Sequence, residues 1–494
     1  MKWEKGLPVW YDGRTGIFLF AGNRQGKERK KMNKAEQSVR LAEGQVIRLP
    51  VRRMGINGEG IGYFRKKVVF VEGAIPGETV LARVFEEGRG FVRARLLRVL
   101  KPSTHRREPP CPVYEECGGC QLQHIDYPFQ LRLKRELLKE AFSRYTGLKN
   151  LPIAPAVGMD DPWRYRNKAQ LPLKRIGGRV KMGMYSVRSH RLIEMGDCAV
   201  QHPEVNRTLE EARRVVEELE IPIYDERKHT GSLRHLVARI GLQTGEVQLV
   251  LISRTPDLPR EESLVKRLRE CLPRLASIVL NVNPRRTSAV WGERSRVLWG
   301  ADAIREVLDE RIYALSAPSF FQLNPVQTVK LYDEVRRAAS LTGRETVVDA
   351  YCGVGTIGLW LAPEAGRVIG MDTVPEAVRD ARENARRNGI NNAEYHVGRA
   401  EEWLPRRVSE GFRPDVVIVD PPRTGLGGEL IDALIRVKVP RLIYVSCNPS
   451  TLAKDSARLL EGGYRIGRIV PVDMFPQTSH VEAVCTLEWD GEKA

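Results

Sequence analysis

The C-terminal third of the chain carries a cysteine and two carboxylates of the kind that covalent catalysis uses. Asp420 opens the sequence Asp-Pro-Pro-Arg after an apolar run, and Cys447 lies in Ser-Cys-Asn-Pro after the next one. Residues that follow parallel strands collect at one sheet edge, where ligands bind. Glu482, in Ser-His-Val-Glu, is a candidate general base for a thiol nucleophile. A lone cysteine is more often inert, and the proximity of Asp420 favours a catalytic role for Cys447.

A glycine turn upstream predicts a site for a nucleotide-like cofactor. Residues 347–350, Val-Val-Asp-Ala, lead into Tyr-Cys-Gly-Val-Gly-Thr, so an apolar strand that ends in an acidic residue would be followed by a tight turn and a helix. Glycines allow the backbone to approach a ligand closely. The next predicted strand ends at Asp372, whose carboxylate would accept hydrogen bonds from ribose hydroxyls. These features fit a nicotinamide or an adenosyl-methionine cofactor and do not separate the two.

Three cysteines near residue 115 have the spacing of metal ligands. Cys111, Cys117 and Cys120 are separated by five and then two residues, and Gly118-Gly119 permits a tight loop. Zinc and iron–sulfur clusters generally take four protein ligands, so a fourth must come from elsewhere. Since thiolates suit both, spacing alone leaves zinc and an iron–sulfur cluster equally open.

The elements that must position these residues fall into four segments. Residues 1–43 form a basic extension without periodicity, and residues 44–104 hold five short strand patterns typical of a small oligonucleotide-binding barrel. Residues 105–315 form an α+β middle domain with an amphipathic helix over residues 127–145. Residues 316–494 alternate strand and helix, as a doubly wound parallel sheet requires. The predicted fold class is therefore multidomain α/β with a Rossmann-like C-terminal domain.

The charge of the chain is segregated. Over 494 residues the formal charge is +18, but residues 1–198 hold 39 basic and 20 acidic side chains, whereas the remaining 296 hold 41 and 42. A basic N-terminal part indicates a polyanionic partner, and nucleic acid is the expected one. No run approaches the roughly 18 apolar residues of a membrane helix. The eight cysteines do not resemble a secreted disulfide scaffold, so a cytoplasmic protein is expected.

Taken together and in order, these motifs resemble those of the RNA uracil-C5 methyltransferase family. The resemblance includes Ser-Phe-Phe-Gln-Leu-Asn at residues 319–324, the glycine turn, Asp-Pro-Pro-Arg, Ser-Cys-Asn-Pro and His-Val-Glu. The cysteine cluster after a barrel is similar to the 23S ribosomal RNA branch, which carries a TRAM domain and a [4Fe–4S] cluster. The resemblance covers residues 44–494 and separates adenosyl-methionine from nicotinamide.

The resemblance implies a role for each candidate residue. Cys447 would add to C6 of uracil, so that C5 can attack the methyl group, and Glu482 would remove the C5 proton. The residues implied around adenosyl-methionine are Gln322, Tyr351, Asp372 and Asp420. The ligands implied for the [4Fe–4S] cluster are Cys111, Cys117, Cys120 and Cys198. The implied partner is RNA, most often 23S ribosomal RNA, with the target uridine flipped out of its stack; no obligate protein partner is indicated.

The sequence departs from the family pattern at two positions. Arg399 stands where relatives often have a carboxylate near the adenine amine, and Asp372 is shorter than the glutamate common at its position. Two alternatives stay open, a transfer RNA uracil-5 methyltransferase and a non-catalytic iron–sulfur RNA-binding protein. A methyltransferase acting on an exocyclic amine is disfavoured, because Arg423 replaces the aromatic residue that would stack on the base.

Overall fold

The computed structural model describes residues 41–186, 189 and 191–491, so most of the predicted basic extension lies outside the described residues. The first described element is a closed five-stranded barrel in the order β1-β2-β3-β5-β4. Its strands are β1 Val46–Met54, β2 Gly60–Phe64, β3 Lys67–Glu72, β4 Thr79–Gly88 and β5 Phe91–Lys101. Ile47 and Leu49 point into the barrel and are buried, whereas Arg48 and Arg52 alternate with them and are exposed. The alternation therefore gives the barrel an apolar core and a basic outer face.

A long helix follows the loop that carries the cysteine cluster. Helix α1, Tyr127–Thr146, begins where an oxygen of the Asp126 carboxylate accepts a hydrogen bond from the N–H of Phe129 at 2.9 Å. It ends at Gly147, whose φ of 72° is a left-handed conformation that glycine adopts without strain. Because both ends are marked by local residues, the helix predicted over residues 127–145 agrees closely with the observed one.

The middle of the chain forms a seven-stranded mixed sheet with helices on one face. Its order is β12-β11-β10-β9-β6-β7-β8, with strands β6 Lys168–Ile176, β7 Arg179–Tyr185, β8 Leu192–Glu194, β9 Leu233–Ile240, β10 Val247–Ser253, β11 Leu275–Val282 and β12 Arg294–Gly300. The covering helices are α2 Pro203–Glu218 and α3 Glu261–Cys271. A two-stranded hairpin, β13 Ala303–Leu308 and β14 Arg311–Ser316, then leads into the C-terminal part.

The C-terminal part is a second seven-stranded sheet in the order β17-β16-β15-β18-β19-β21-β20. Its strands are β15 Thr346–Ala350, β16 Arg367–Asp372, β17 Ala393–Val397, β18 Val416–Val419, β19 Arg441–Ser446, β20 Tyr464–Val472 and β21 Glu482–Trp489. Its helices are α4 Pro325–Ala339, α5 Thr356–Leu361, α6 Pro375–Arg387, α7 Ala400–Ser409, α8 Gly428–Val437 and α9 Pro449–Glu461. The first five strands are parallel, and β21 runs antiparallel between β19 and β20. This arrangement confirms the predicted fold class.

Helix α1 packs on the C-terminal sheet. Its residues Leu138 and Phe142 are fully buried in the same apolar cluster as Val417 and Leu442 of that sheet. Downstream of α1, Ile153 forms a bridge with Ile469 at the edge strand β20. The domain limits at residues 43, 104 and 315 stay predictions. None of the helices in the described ranges combines the length and apolar character needed to cross a bilayer.

Replacing Phe142 by alanine tests the docking of α1. We expect Phe142→Ala to lower the free energy of unfolding by about 3–5 kcal/mol, because it leaves a cavity in the shared core. Leu148→Ala is the control, since Leu148 is 41% exposed and should change stability by less than about 0.5 kcal/mol. Denaturant unfolding of both variants is the measurement, and equal effects would contradict the docking.

Candidate active site

The candidate site lies at the carboxyl edge of the C-terminal sheet. Strand order reverses between β15 and β18, because the chain continues from β15 to one side and returns at β18 on the other. Such a reversal opens a crevice beyond the carboxyl ends of the strands. Tyr351 follows β15, Asp372 ends β16, Asp420 follows β18 and Cys447 follows β19. The topology therefore brings four of the predicted residues to one edge.

Cys447 and Glu482 are neighbours across two paired strands. The antiparallel pairing of β19 with β21 runs up to Ser446 opposite Ala483, so Cys447 and Glu482 are the next opposed positions. Glu482 also pairs with Val472 of β20, so the residue that begins β21 lies between two strands. Glu482 is 6% exposed, while Cys447 is half-buried at the carboxyl end of β19. A thiol and a shielded carboxyl thus face the same space.

Burial and neighbouring charges tune these groups. Burial raises the pKa of Glu482, and the charge of Asp420 raises it further, while the Arg423 guanidinium lowers it. Burial also raises the pKa of Asp420. The pKa of the Cys447 thiol is raised by burial and by both carboxylates, and it is lowered by Arg423. A carboxyl whose pKa is raised is a better proton acceptor, which is the property a general base requires.

The glycine turn and Asp372 form the other half of the crevice. The two oxygens of the Asp372 carboxylate accept hydrogen bonds from the N–H groups of Gly353 at 3.0 Å and Val374 at 2.9 Å. Gly355 has a φ of 83°, and a Cβ there would lie 2.9 Å from the Tyr395 hydroxyl. The turn therefore depends on glycine at this position. A close backbone approach and a carboxylate fixed at the strand end fit an adenosine-bearing cofactor.

Two residues in this half were not among the predicted site residues. Asp349 is fully buried in β15 and accepts a hydrogen bond from the Gly358 N–H at 2.9 Å, so it holds the turn onto α5. The sequence feature that could have indicated Asp349 is an acidic residue within an otherwise apolar strand. The Tyr351 hydroxyl donates to Glu401 at 3.2 Å, and Arg399 lies 3.8 Å from the same carboxylate. Glu401 thus provides a carboxylate beside the position that Arg399 occupies.

The segment before α4 contributes one buried and one exposed side chain. Gln322 is buried, and its backbone carbonyl accepts a hydrogen bond from the Asn167 side chain at 3.3 Å. Phe320, two residues earlier, is 73% exposed. Phe320 was not itself a predicted site residue, but it belongs to the motif at residues 319–324 on which the family resemblance rests. An exposed ring of this size is available for stacking on a planar partner.

The predicted metal ligands share one region of the fold. Cys117 forms a bridge with Ser186 after β7, and it packs with Cys198 against the core of the middle sheet. Cys111 and Cys198 help to raise the pKa of Cys117, and Cys117 and Cys198 help to raise that of Cys120 to about 11, with burial as the largest cause in both cases. Within residues 41–491 apart from the undescribed positions, no three Cys, His, Asp or Glu side chains lie close enough to hold a metal ion. The thiols are therefore neighbours but not a preformed site.

Comparison with known proteins identifies the family. Residues 290–489 match the model of the tRNA (uracil-5-)-methyltransferase family, and residues 40–97 match that of the TRAM domain. A protein of Halalkalibacterium halodurans named an uncharacterized RNA methyltransferase is 49% identical over 463 residues, 93% of this chain and 100% of that protein. A Listeria monocytogenes protein of the same name is 49% identical over 91% of this chain and 98% of its own length.

A solved structure extends the likeness to the fold. The crystal structure of Pyrococcus abyssi tRNA (uracil-54, C5)-methyltransferase in complex with S-adenosyl-L-homocysteine is 30% identical, with a TM-score of 0.72 over 89% of this chain and all of that chain. The chain therefore belongs to the RNA uracil-5 methyltransferase family. This confirms the predicted family, the enzyme class and the TRAM barrel. The ribosomal RNA branch and the individual site residues stay predictions.

The opposite charges around Cys447 predict opposite changes in its alkylation rate when each charge is removed. Arg423→Gln should raise the pKa of Cys447 and slow its alkylation, whereas Glu482→Gln should lower that pKa and speed alkylation at pH values where the carboxyl is ionised. Because the thiolate is the reactive form, we expect changes of about three- to tenfold. The measurement is the rate of iodoacetamide labelling from about pH 6 to 10, followed by peptide mass spectrometry. Cys271 in the same samples is the internal control, and effects of equal sign would contradict the geometry.

Proposed function

We propose that this protein transfers a methyl group from adenosyl-methionine to C5 of a uridine in RNA. The observation that carries the proposal is the opposition of Cys447 and Glu482 at the sheet edge, beside Asp420. Adenosyl-methionine supplies an electrophilic methyl group when it is bound. We expect Gln322, Tyr351, Asp372 and Asp420 to hold it, with Glu401 near the adenine in place of the residue at position 399.

The chain's own residues would carry out the covalent steps. The Cys447 thiolate adds to C6 of uracil, and the electrons of the C5–C6 double bond make C5 nucleophilic enough to take the methyl group, with the methyl–sulfur bond of the donor breaking and adenosyl-homocysteine as the leaving group. Glu482 then accepts the C5 proton. The electrons of that C–H bond restore the C5–C6 double bond as the C6–S bond breaks, so the Cys447 thiolate is regenerated. The raised pKa of Glu482 supports this role, because it favours holding the proton until the product leaves.

The barrel and the exposed aromatic ring support an RNA substrate. Arg48, Arg52 and Arg95 are exposed on the outer face of the barrel, and Arg83 pairs across strands with Arg95. Such a face suits contacts with phosphates, which position a nucleic acid without reading its sequence. Phe320, which is exposed to solvent, is suited to stack on a base. Enzymes that act on a base extrude it from its stack, so this ring would compensate for part of the lost stacking.

We propose 23S ribosomal RNA as the substrate, as the barrel followed by a cysteine cluster favours. A second candidate is transfer RNA, because the solved relative described above is a transfer RNA methyltransferase. Incubation with tritiated adenosyl-methionine and either purified 23S ribosomal RNA or bulk transfer RNA would separate the two. Methyl groups found in 5-methyluridine of transfer RNA alone would overturn the ribosomal assignment.

The two catalytic assignments predict different failures. Cys447→Ala should abolish methylation while adenosyl-methionine binding persists, because only the nucleophile is lost. Glu482→Gln should leave methylated RNA covalently attached to the protein, since elimination needs the base. Methyl transfer and denaturant-resistant RNA–protein bands are the measurements. Turnover by Cys447→Ala at the wild-type rate would contradict the nucleophile assignment.

Two substitutions serve as controls for these variants. Cys271→Ala removes a half-buried thiol at the end of helix α3, and Glu488→Gln changes a carboxylate near the far end of the same strand as Glu482. Both should methylate RNA at the wild-type rate. If the covalent adduct also accumulated in Glu488→Gln, its accumulation would not be specific to the loss of Glu482.

We also propose that the four cysteines hold a [4Fe–4S] cluster. The donor set fits by its chemistry, since all four are free thiols in one region. The guanidinium of Arg166 lowers the pKa of Cys117 and of Cys120, and its Nε is buried without a hydrogen-bond partner among the described residues. A cation placed there would offset part of the negative charge of four thiolates. In this role the cluster would be structural, because methyl transfer involves no change in redox state.

Metal analysis tests the cysteine assignment. After anaerobic reconstitution we expect about four iron and four sulfide per chain in the wild type and a large loss in Cys198→Ser. Cys271→Ser should retain the full content, since Cys271 is not part of the predicted ligand set. Zinc in place of iron, or full iron content in Cys198→Ser, would contradict the assignment.

A further inference from the structure

The connection between β20 and β21 is buried although it contains no helix or strand. These residues, 473–481, are named here the base loop, and within it only Phe475 and His480 are not buried. Connections normally run over the surface, because buried backbone groups need hydrogen-bond partners. The base loop starts after Val472 and ends before Glu482, which pair with each other. Its path therefore fixes where β21 begins and where the Glu482 side chain lies.

Five successive carbonyls of the base loop are satisfied from other segments of the chain. The distances from donor to carbonyl oxygen lie between 2.9 and 3.1 Å. In the order of the carbonyls from 473 to 477, the donors are the side chains of Gln327, Asn324, Lys134 and Tyr165 and the N–H groups of Gln121 and Leu122. Most of these donors precede residue 316. The loop is thus held mainly from outside the C-terminal sheet.

Helix α1 provides two further side-chain contacts. The Lys134 ammonium and the Asp473 carboxylate form an ion pair at 2.5 Å, and both side chains are fully buried. The Gln130 amide donates to the Gln477 side chain at 2.9 Å and accepts from the Gln477 backbone N–H at 3.1 Å. The same Gln130 amide donates to the carbonyls of Leu122 and Ile125. One helix therefore holds the base loop and the segment that follows Cys120 in a single network.

We propose that Gln130, Lys134 and Gln477 are positioning residues for the proton abstraction by Glu482. A shift of one residue in a strand turns each side chain to the opposite face, so the path of the base loop decides whether Glu482 faces Cys447. The network holds this path through side chains that are not among those assigned to the nucleophile, the base or the cofactor site. The inference rests on the proposed role of Glu482 as the base.

Gln477→Gly tests the positioning without a large cost to folding. Gln477 has a φ of 69°, a conformation that glycine adopts more easily than glutamine. The substitution removes the side-chain contact with Gln130 and loosens the loop. We expect methyl transfer to proceed while elimination slows by about 10- to 100-fold, as for a small displacement of a catalytic group. The signature is methylated RNA accumulating as a covalent adduct of Cys447.

Ser340→Gly is the matched control, because Ser340 also has a positive φ, 47°, and lies at the end of α4 away from the crevice. It should release product like the wild type. Gln130→Met removes the contacts of the same network that come from α1. Its readout is the fraction of active enzyme that carries the covalent adduct, because this fraction does not depend on how much of the protein folds. A merely structural role would lower adduct and product together.

The double variant Gln477→Gly with Glu482→Gln completes the test. If the network acts through Glu482, the Gln477→Gly substitution should not slow elimination further in a protein that already carries Glu482→Gln. The proposal is overturned if Gln477→Gly and Gln130→Met both release product with the wild-type adduct fraction, or if the effects in the double variant multiply. Absence of uridine methylation by the wild type would instead refute the proposed function.

Discussion

The candidate active site depends on the burial of a carboxyl group beside a thiol. Glu482 begins a strand between two neighbours and is almost entirely shielded from water, and its pKa is raised as a result. An isolated buried carboxylate is costly, so such a group is partly neutralised or paired. Arg423 supplies the opposing charge for both Glu482 and Cys447. The balance leaves a carboxyl able to take a proton and a thiol whose pKa is raised overall, with Arg423 as the group that favours its ionised form.

The same burial explains why the surrounding structure is elaborate. A strand can begin at a buried residue only if the peptide that leads to it is also buried and has its hydrogen bonds satisfied. The base loop meets this requirement through donors from α1, from the loop after Cys120 and from the start of α4. The ion pair between Lys134 and Asp473 is weak evidence for added stability, because desolvation opposes the attraction. Its geometry is better understood as defining a single path for the chain.

The segregation of charge is consistent with a division of labour along the chain. The barrel presents arginines on its outer face, whereas the C-terminal sheet buries its carboxylates at one edge. Contacts with phosphates are long-range and tolerant of geometry, so exposed side chains on a small barrel are sufficient for them. Covalent chemistry on a base tolerates little displacement and requires groups fixed by a rigid sheet. The two tasks therefore place opposite demands on exposure.

The amino-acid sequence alone determined the local elements and the family, and it supplied the residues proposed as reactive groups. The helix at residues 127–146 could be predicted because apolar residues recur along one of its faces and Gly147 follows its last turn, and the five barrel strands because glycines separate short β-type runs. The motifs around Cys447, Asp420 and Glu482 identified the family, since each keeps its residue types in order.

Only the tertiary structure decided how these groups are held. The packing of α1 on the C-terminal sheet could not be predicted, because an amphipathic pattern shows that a face is buried and not what covers it. Nor could the sequence predict that Gln130 would meet Gln477, since a hydrogen bond between residues 347 positions apart leaves no local pattern. Short motifs identify the residue types at the site, but the position of the buried Glu482 carboxyl depends on contacts that exist only after the chain has folded.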